Sequence, residues 1–299
     1  MELSWVNKVR ICAVAALGII VIGIGAWPLA APQDPLAPVR SGAISLSGTM
    51  VLLALAFSIG FVAYFASWPH GREIAILAVP FGLVIWVVRS GSMQALTQSH
   101  ATPASREAIL QSLRFEPIYW FLIVAAGFLG VLTAQRVRPS SGSPISLSAI
   151  KGSFRPNAVL TALAAVVVAV LLAHFALGVF AQDLARSAHG ASTQPAIGQI
   201  LFAAVAAFAT AAFAVKKLFG LSYIWPAMAS VLVIPFASMS YGRGDTIRRF
   251  VETQPATFFP HAAFTILPLQ LVALGAIGSV LGYWLAVRYD YWRKHEMGA

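Results

Sequence analysis

Long runs of apolar residues, uninterrupted by any Asp, Glu, Lys or Arg, dominate the chain. Eight such runs are present, and seven of them exceed 18 residues. A helix of about 20 apolar residues covers the roughly 30 Å hydrocarbon core of a bilayer. The pattern therefore predicts an all-α, polytopic transmembrane helical bundle with about eight membrane spans. The runs are 11–33, 41–71, 74–88, 117–135, 156–182, 187–215, 218–242 and 253–287.

Two of the runs allow a second interpretation. The run 74–88 has only 15 residues and contains Pro80, so its length lies between that of a full span and that of a re-entrant segment. The first run follows Lys8 and Arg10, as the apolar core of a cleaved signal peptide does. It is longer than a usual signal core, and Leu29 fits a cleavage site poorly. We expect the first run to be retained as a span.

The layout of the runs repeats on either side of a linker. Residues 139–155 (PSSGSPISLSAIKGSFR) are rich in Ser, Gly and Pro, which is typical of a linker. The prediction is a first four-span half at 1–138 and a second at 156–299. Both halves would enter the membrane from the same side, as in a parallel repeat. The two halves share a layout but few identical residues, so coincidence remains the alternative to internal duplication.

Each predicted half contains one long outer loop with the pattern of a short amphipathic helix. Thr102 and Pro103 favour a helix start in the first loop, and Asp245 can cap a helix in the second. We expect both helices to lie in the outer membrane interface. Their apolar faces consist of Ile109, Leu110 and Leu113 in the first loop and of Ile247, Phe250 and Val251 in the second.

Charge and aromatic residues predict the orientation. With the N-terminus inside, twelve of the 20 Lys and Arg residues fall on the inner side and eight on the outer side. The positive-inside rule then places both termini in the cytoplasm, most simply in a bacterial inner membrane. All eight tryptophans fall at or near span ends, as in an interfacial belt. The net charge of +10 is then explained by anionic lipids at the cytoplasmic face, and nucleic acid is not needed as a partner.

Small residues in the spans predict close helix packing. Glycines recur in the last span of each half, and residues 203–215 contain eight alanines. Small side chains let helix backbones approach each other. Intramolecular packing is the simplest interpretation; an interface with a partner membrane subunit or with a second copy is the alternative. The glycines are Gly127, Gly130, Gly275, Gly278 and Gly282.

Few residues in this sequence carry recognisable chemistry. No span contains an interior carboxylate, lysine or arginine, which counts against a proton- or sodium-coupled carrier. His174 is the titratable imidazole within a span and could line a polar pathway, although a hydrogen bond to a neighbouring helix explains it as well. Cys12 is the single cysteine and cannot form an internal disulfide or a thiolate cluster. We expect no cofactor and no metal.

A catalytic site could exist only where the outer loops converge. The candidates are His100, Glu116, Asp245 and His261, but no metal-ligand spacing connects them and solvated loop charges explain them equally well. The sequence therefore favours a non-enzymatic permease-like or structural subunit of a membrane complex. One alternative is a membrane-embedded enzyme that acts on a lipid or lipid-linked substrate at the outer interface. Another is a passive channel for a small neutral solute, lined by Ser, Thr and the alanine-rich residues 203–215.

Overall fold

The computed structural model describes residues 5–34, 36–100, 102–139, 156–181, 192–241, 258–259 and 261–295. These residues form an all-α helical bundle, as the apolar runs predict. The one extended element among them is a two-residue antiparallel pair, β1 (Ser192–Thr193) with β2 (Phe258–Phe259). The predicted linker and most of the second long outer loop, with the helix expected there, lie outside the described residues.

Seven helical segments of the described chain are long and apolar enough to cross a membrane. They identify the chain as an integral, multi-pass membrane protein. An eighth apolar helix, α10, is shorter over its apolar part. The helices are α1 (Trp5–Gly18), α2 (Leu46–Ala66), α3 (Gly71–Ala75), α4 (Ala78–Arg89), α5 (Met93–Gln98), α6 (Pro103–Leu113), α7 (Glu116–Val137), α8 (Pro156–Phe180), α9 (Ile197–Phe219), α10 (Ile224–Tyr241) and α11 (Pro268–His295).

The helix expected in the first long outer loop is present as α6. It begins where the sequence indicates, with the Thr102 side chain accepting a hydrogen bond from the Ser105 N–H and with Pro103 in its first turn. The uncertain third run also resolves in favour of a span by length and composition, because α3 and α4 together extend over Gly71–Arg89, which is 19 residues. We call the end of the bundle that carries α5 and α6 the loop end, and the opposite end the terminal end.

The helix α11 lies at the centre of the bundle. Every residue from 262 to 280 is buried. The helix α11 itself, which begins at Pro268, packs against α9 and α10 and, from the predicted first half, against α4 and α7. Large apolar side chains on the outer helices are exposed instead, for example Leu122 on α7 and Phe175 on α8. In a bilayer, this exposed apolar surface faces lipid chains.

The first span changes from an α-helix to a π-helix at Ile19–Gly25. The indole N–H of Trp86 on α4 donates to the carbonyl oxygens of Ile22 and Gly23, at 3.0 and 3.1 Å. A π-helix shifts the hydrogen-bond partners of the backbone, and here a side chain of the neighbouring helix supplies an additional donor. Trp86 and Trp120 have no exposed surface, so the expectation of an interfacial belt is wrong for these two tryptophans.

Several glycines bring helix backbones into direct contact. A Cβ atom added to Gly60 would collide with the carbonyl group of Gly127, and one added to Gly130 would collide with that of Phe57. In the second half, a Cβ on Gly282 would collide with the carbonyl group of Ala209. Gly278 lies against the same helix, and Gly275 lies against the side chains of Ser230 and Phe208. The resulting helix pairs are α2 with α7 and α9 with α11.

Candidate functional site

The fold brings together two histidines that lie far apart in the sequence. His174 projects from α8, and His261 precedes the 3₁₀ turn Ala262–Thr265, which leads into α11. The two imidazole rings stack with a centroid distance of 4.2 Å and an interplanar angle of 11°. The ring of Phe236 on α10 packs edge-on against His174 at 5.1 Å. Both histidines are half-buried, and they form the most compact group of titratable candidates at the loop end.

His261 also determines the local backbone. Its Nδ1 atom accepts a hydrogen bond from the Ala263 N–H at 3.1 Å, which caps the 3₁₀ turn. An accepting Nδ1 carries no proton, so the neutral ring has its proton on Nε2. Burial lowers the pKa of His261 to about 4, and the neighbouring His174 contributes to the decrease. The ring is therefore neutral at physiological pH.

The stacked pair is poorly arranged to hold a metal ion. The lone pair of an imidazole nitrogen lies in the ring plane, and two nearly parallel rings direct their lone pairs side by side. A shared metal would need both lone pairs to point at one position. No group of three or more His, Cys, Asp or Glu side chains suited to a metal occurs among the described residues. In the described conformation, the two rings pack against each other and their lone pairs do not converge on one position.

Glu116 is buried at the start of α7 and is engaged in structural contacts. Its Oε1 atom accepts the Ser41 N–H at 2.7 Å and the Trp120 indole N–H at 3.4 Å. The guanidinium of Arg40 lies 3.8 Å from Oε2, and the same side chain donates to the Ser112 hydroxyl. The carboxylate therefore joins the loop after the first span to α6 and α7. These contacts account for its position without a substrate.

His100 and Asp245 are not brought to the histidine pair by any described contact. The Nδ1 atom of His100 lies 2.9 Å from the Leu96 carbonyl oxygen and 3.1 Å from the Ser99 hydroxyl, so the ring stays close to the end of α5. The His100 carbonyl oxygen accepts from Arg106 at 3.0 Å. Asp245 lies outside the described residues. Of the three catalytic candidates that the structure describes, only His261 is placed against another titratable ring, and that ring is His174.

The loop end is closed by residues from both predicted halves. The side chain of Gln194 accepts the Gln94 N–H through Oε1 and donates through Nε2 to the Thr265 carbonyl oxygen, both at 3.0 Å. Around this bridge the apolar face of α6 packs on the protein interior rather than lying free at the membrane surface. The apolar cluster comprises Met93, Leu96, Ile109, Leu110 and Leu113 from the first half and Ala237, Phe259, Ala263, Phe264 and Leu267 from the second.

The terminal end contains a group that the sequence did not reveal. Arg72, one of the twelve basic residues counted on the inner side, is only 9% exposed and hydrogen-bonds to the Tyr223 hydroxyl. Burial raises the pKa of Tyr223 to about 12, so the hydroxyl keeps its proton. The ring of Tyr283 on α11 packs edge-on against that of Tyr223 at 5.4 Å, and the Lys216 ammonium lies 5.3 Å from the Tyr283 ring centroid. We call Arg72, Lys216, Tyr223 and Tyr283 the basic–aromatic cluster.

An apolar cleft begins beside this cluster, between helices of the two predicted halves. It has a volume of about 60 Å³ and is bordered by α4 and α7 of the first half and by α10 and α11 of the second. Several of its side chains are partly exposed, so the cleft opens on the outside of the bundle. Its lining is Ile76, Pro80, Phe121, Val124, Ala125, Phe128, Tyr223, Ile224, Ala227, Ala276 and Val280.

Comparisons with known proteins give no relative from which to transfer a function. The chain matches no protein-family model, no curated protein and no solved structure. The features of the chain that bear on function are the bundle, the histidine pair, the basic–aromatic cluster and the cleft.

Proposed function

We propose that this protein is a non-enzymatic, permease-like subunit of a membrane complex, in which two four-span halves move relative to each other. The observation that carries the proposal is the distribution of the glycine contacts. The close approaches of the described glycines to other helices all lie within one half: α1 with α4, α2 with α3, α2 with α7, α4 with α7, α9 with α11 and α10 with α11. No described glycine brings a helix of one half against a helix of the other, and the apolar cleft lies between them.

The physical basis is the difference between the two kinds of interface. Helices joined through glycine have their backbones in van der Waals contact, and such dense interfaces deform little. Side-chain contacts between larger bodies can slide or rearrange, which is the usual route of domain motion in transporters. In each half the second span packs most extensively against the fourth: α2 against α7 in the first half and α9 against α11 in the second. This correspondence also supports a parallel repeat of the two halves.

Distances between spin labels test the two-body proposal. Ser58 on α2 and Thr210 on α9 are exposed and lie in different halves, whereas Ser58 and Thr133 on α7 lie in the same half. In a Cys12→Ser background, the pair Ser58→Cys with Thr210→Cys should give a broad or two-peaked distance distribution in nanodiscs. The control pair Ser58→Cys with Thr133→Cys should give one narrow peak.

Equally narrow distributions for both pairs would contradict the motion and leave the structural-subunit alternative. Native mass spectrometry of the protein extracted gently from its own membrane tests that alternative directly. A stoichiometric partner chain is the expected result for a subunit of a complex. A lone chain would argue against membership of a complex and favour an independent role.

We further propose that the terminal end faces the cytoplasm of a bacterial inner membrane. The excess of Lys and Arg assigned to that end supports this orientation. A fluorescent protein that matures only in the cytoplasm, fused in turn to each terminus, should fluoresce in both fusions. A dark fusion at either terminus would contradict the orientation.

The two alternatives receive less support from the geometry. The alanine-rich residues 203–215 present Ala204, Ala207 and Ala211 to the bundle interior with no exposed surface, so that face packs a helix interface. An enzyme would need its acid and base to converge, and the contacts engage Glu116 and His100 separately. The stacked histidines are the one part of that hypothesis that the geometry favours. Their substitution by Ala should abolish lipid turnover if it exists.

A further inference from the structure

We propose that the cleft between the halves binds one acyl chain of an anionic phospholipid, with the phosphate of its headgroup at the basic–aromatic cluster. This site goes beyond the proposed motion and does not require it, because a lipid can occupy the cleft whether or not the halves move. Three features support this site: the chemistry of the cleft, the charges at its end, and a buried polar atom nearby that lacks a hydrogen-bond partner among the described residues.

The cleft suits a hydrocarbon chain. All of its lining side chains except Tyr223 lack polar atoms, and two phenylalanines, Phe121 and Phe128, border it. The volume of about 60 Å³ is too small to enclose a whole acyl chain, so the chain would place a short segment in the cleft, where water would find no hydrogen-bond partners. The flanking residues Leu122, Leu129 and Met228 are exposed. In a membrane, the apolar group that reaches such an opening is a lipid chain.

The charge at the end of the cleft selects the headgroup. Tyr223 belongs to both the cleft and the basic–aromatic cluster, so the two features are continuous. The cluster places the buried guanidinium of Arg72 and the half-exposed ammonium of Lys216 around the two tyrosine rings. Glu73 is exposed, lies near these rings and offsets one positive charge. Asp290 lies near Lys216 as well, but it forms its ion pair with Lys217. The remaining positive charge is complementary to a phosphate group.

A buried donor close to the cluster provides an independent observation. Trp284 follows Tyr283 on α11 and packs in the same apolar group as Tyr223 and Leu77. Its indole Nε1 atom is buried and has no hydrogen-bond partner among the residues that the structure describes. A buried N–H without an acceptor is unfavourable by about 1–3 kcal/mol. Trp284 does not line the cleft itself, so a lipid oxygen would become its acceptor only after a movement of the indole side chain.

Native mass spectrometry with defined lipids tests the site in the full chain. The probes are phosphatidylglycerol and phosphatidylcholine with identical acyl chains, offered in equal amounts. The wild-type protein should retain one phosphatidylglycerol molecule in preference to phosphatidylcholine. Lys216→Gln should reduce that preference about fivefold, the effect of one basic residue near an anionic headgroup. Lys294→Gln removes an exposed lysine elsewhere at the terminal end and should leave the preference unchanged.

Variants of the cleft test the acyl-chain part. Ala125→Phe and Ala227→Phe fill the cleft from opposite halves and should each abolish retention of both lipids. Ala164→Phe, at an exposed position of α8, serves as the control and should retain them. Thermal unfolding confirms that each variant is folded before its lipids are counted.

Equal retention of both lipids by the wild type, or retention of phosphatidylglycerol by the cleft variants, would overturn the proposal. Binding of free inorganic phosphate with no retained lipid would likewise overturn it. Because the spin-label distances are measured on other residues and report motion rather than lipid, failure of either proposal can be distinguished from failure of the other.

Discussion

Glu116 is the acidic side chain whose removal should disturb the loop end most. We expect Glu116→Ala to lower the free energy of unfolding by about 1–3 kcal/mol, because the Ser41 N–H and the Arg40 guanidinium lose their buried acceptor. Chemical denaturation in detergent, monitored by tryptophan fluorescence, measures the loss. Glu107→Ala is the matched control on α6. Its carboxylate only accepts a 3.3 Å bond from Gln111, so its loss should be near zero. Equal stability of the two variants would contradict the structural role.

The histidine pair makes stability depend on pH. His261 has a folded-state pKa of about 4, below the ordinary value of about 6.5, so the unfolded chain binds more protons between these pH values. Stability is therefore fully present above about pH 6.5 and is lost as the pH falls toward 4. The loss is on the order of 1 kcal/mol once the partial exposure of the ring is discounted. Melting temperatures measured from pH 7.5 to 4.5 should fall in the wild type and much less in His261→Asn.

An unchanged slope in the His261→Asn variant would assign the pH dependence to another group. His174→Phe provides a further comparison, since it keeps an aromatic ring against His261 and removes the second imidazole. We expect this variant to retain most of the slope, because burial is the main cause of the lowered pKa of His261.

Individual residues were predictable only where one dominant physical effect decided their position. The Thr102 cap follows from local helix chemistry and is present. Both His174 and His261 occur near the outer ends of their predicted spans, but their stacking depends on the rotation of α8 and on the path of the segment that leads into α11. The environment of Arg72 does not follow from its place in a short turn. Its burial results from packing against Tyr223, which is 151 positions further along the chain.

At the level of helices, glycine contacts should be the points most sensitive to added volume. Gly282→Ala would place a Cβ against the Ala209 carbonyl group, so we expect a loss of about 1–3 kcal/mol as α11 moves away from α9. Gly198→Ala on α9 has open space around its Cβ and should be neutral or slightly stabilising, because alanine favours helix more than glycine does. Thermal unfolding of the two variants in the same detergent provides the comparison.

If both variants were equally stable, the backbones at Gly282 and Ala209 would have to be further apart than described. If both variants lost stability, the loss in Gly198→Ala would be assigned to its position in the first turn of α9. The comparison would then not isolate the contact between Gly282 and Ala209.

Helix positions were predictable because apolar length determines them, whereas helix distortions were not. The apolar runs correspond to the described spans, including the short run that contains Pro80. The π-helix at Ile19–Gly25 has no comparable pattern in the sequence. It coincides with the close approach of Gly18 and Gly23 to α4 and with the Trp86 hydrogen bonds, which are tertiary features. The burial of Trp86 and Trp120 has the same origin, since a position near a span end does not reveal which side of the helix faces lipid.

For the whole molecule, the sequence predicts the class better than the arrangement. Hydropathy alone indicates a multi-pass bundle, because a bilayer requires every spanning backbone to be helical in such a chain. The division into halves and the orientation remain predictions that the spin-label and fusion measurements address. The central position of α11 was not predictable, since its sequence resembles that of the lipid-exposed spans. Only the contacts with α4, α7, α9 and α10 distinguish it.

The Gln194 bridge at the loop end has a consequence for synthesis of the chain. The ribosome completes α6 about 150 residues before the 3₁₀ turn Ala262–Thr265, which corresponds to roughly 7–30 s at typical translation rates. During that interval Ile109 and Leu113 lack the second-half side chains that later cover them. We expect α6 to rest on the membrane surface until Gln194 and the turn arrive. Its amphipathic pattern would then serve two successive environments, first the lipid headgroups of the nascent state and later the interior of the finished protein.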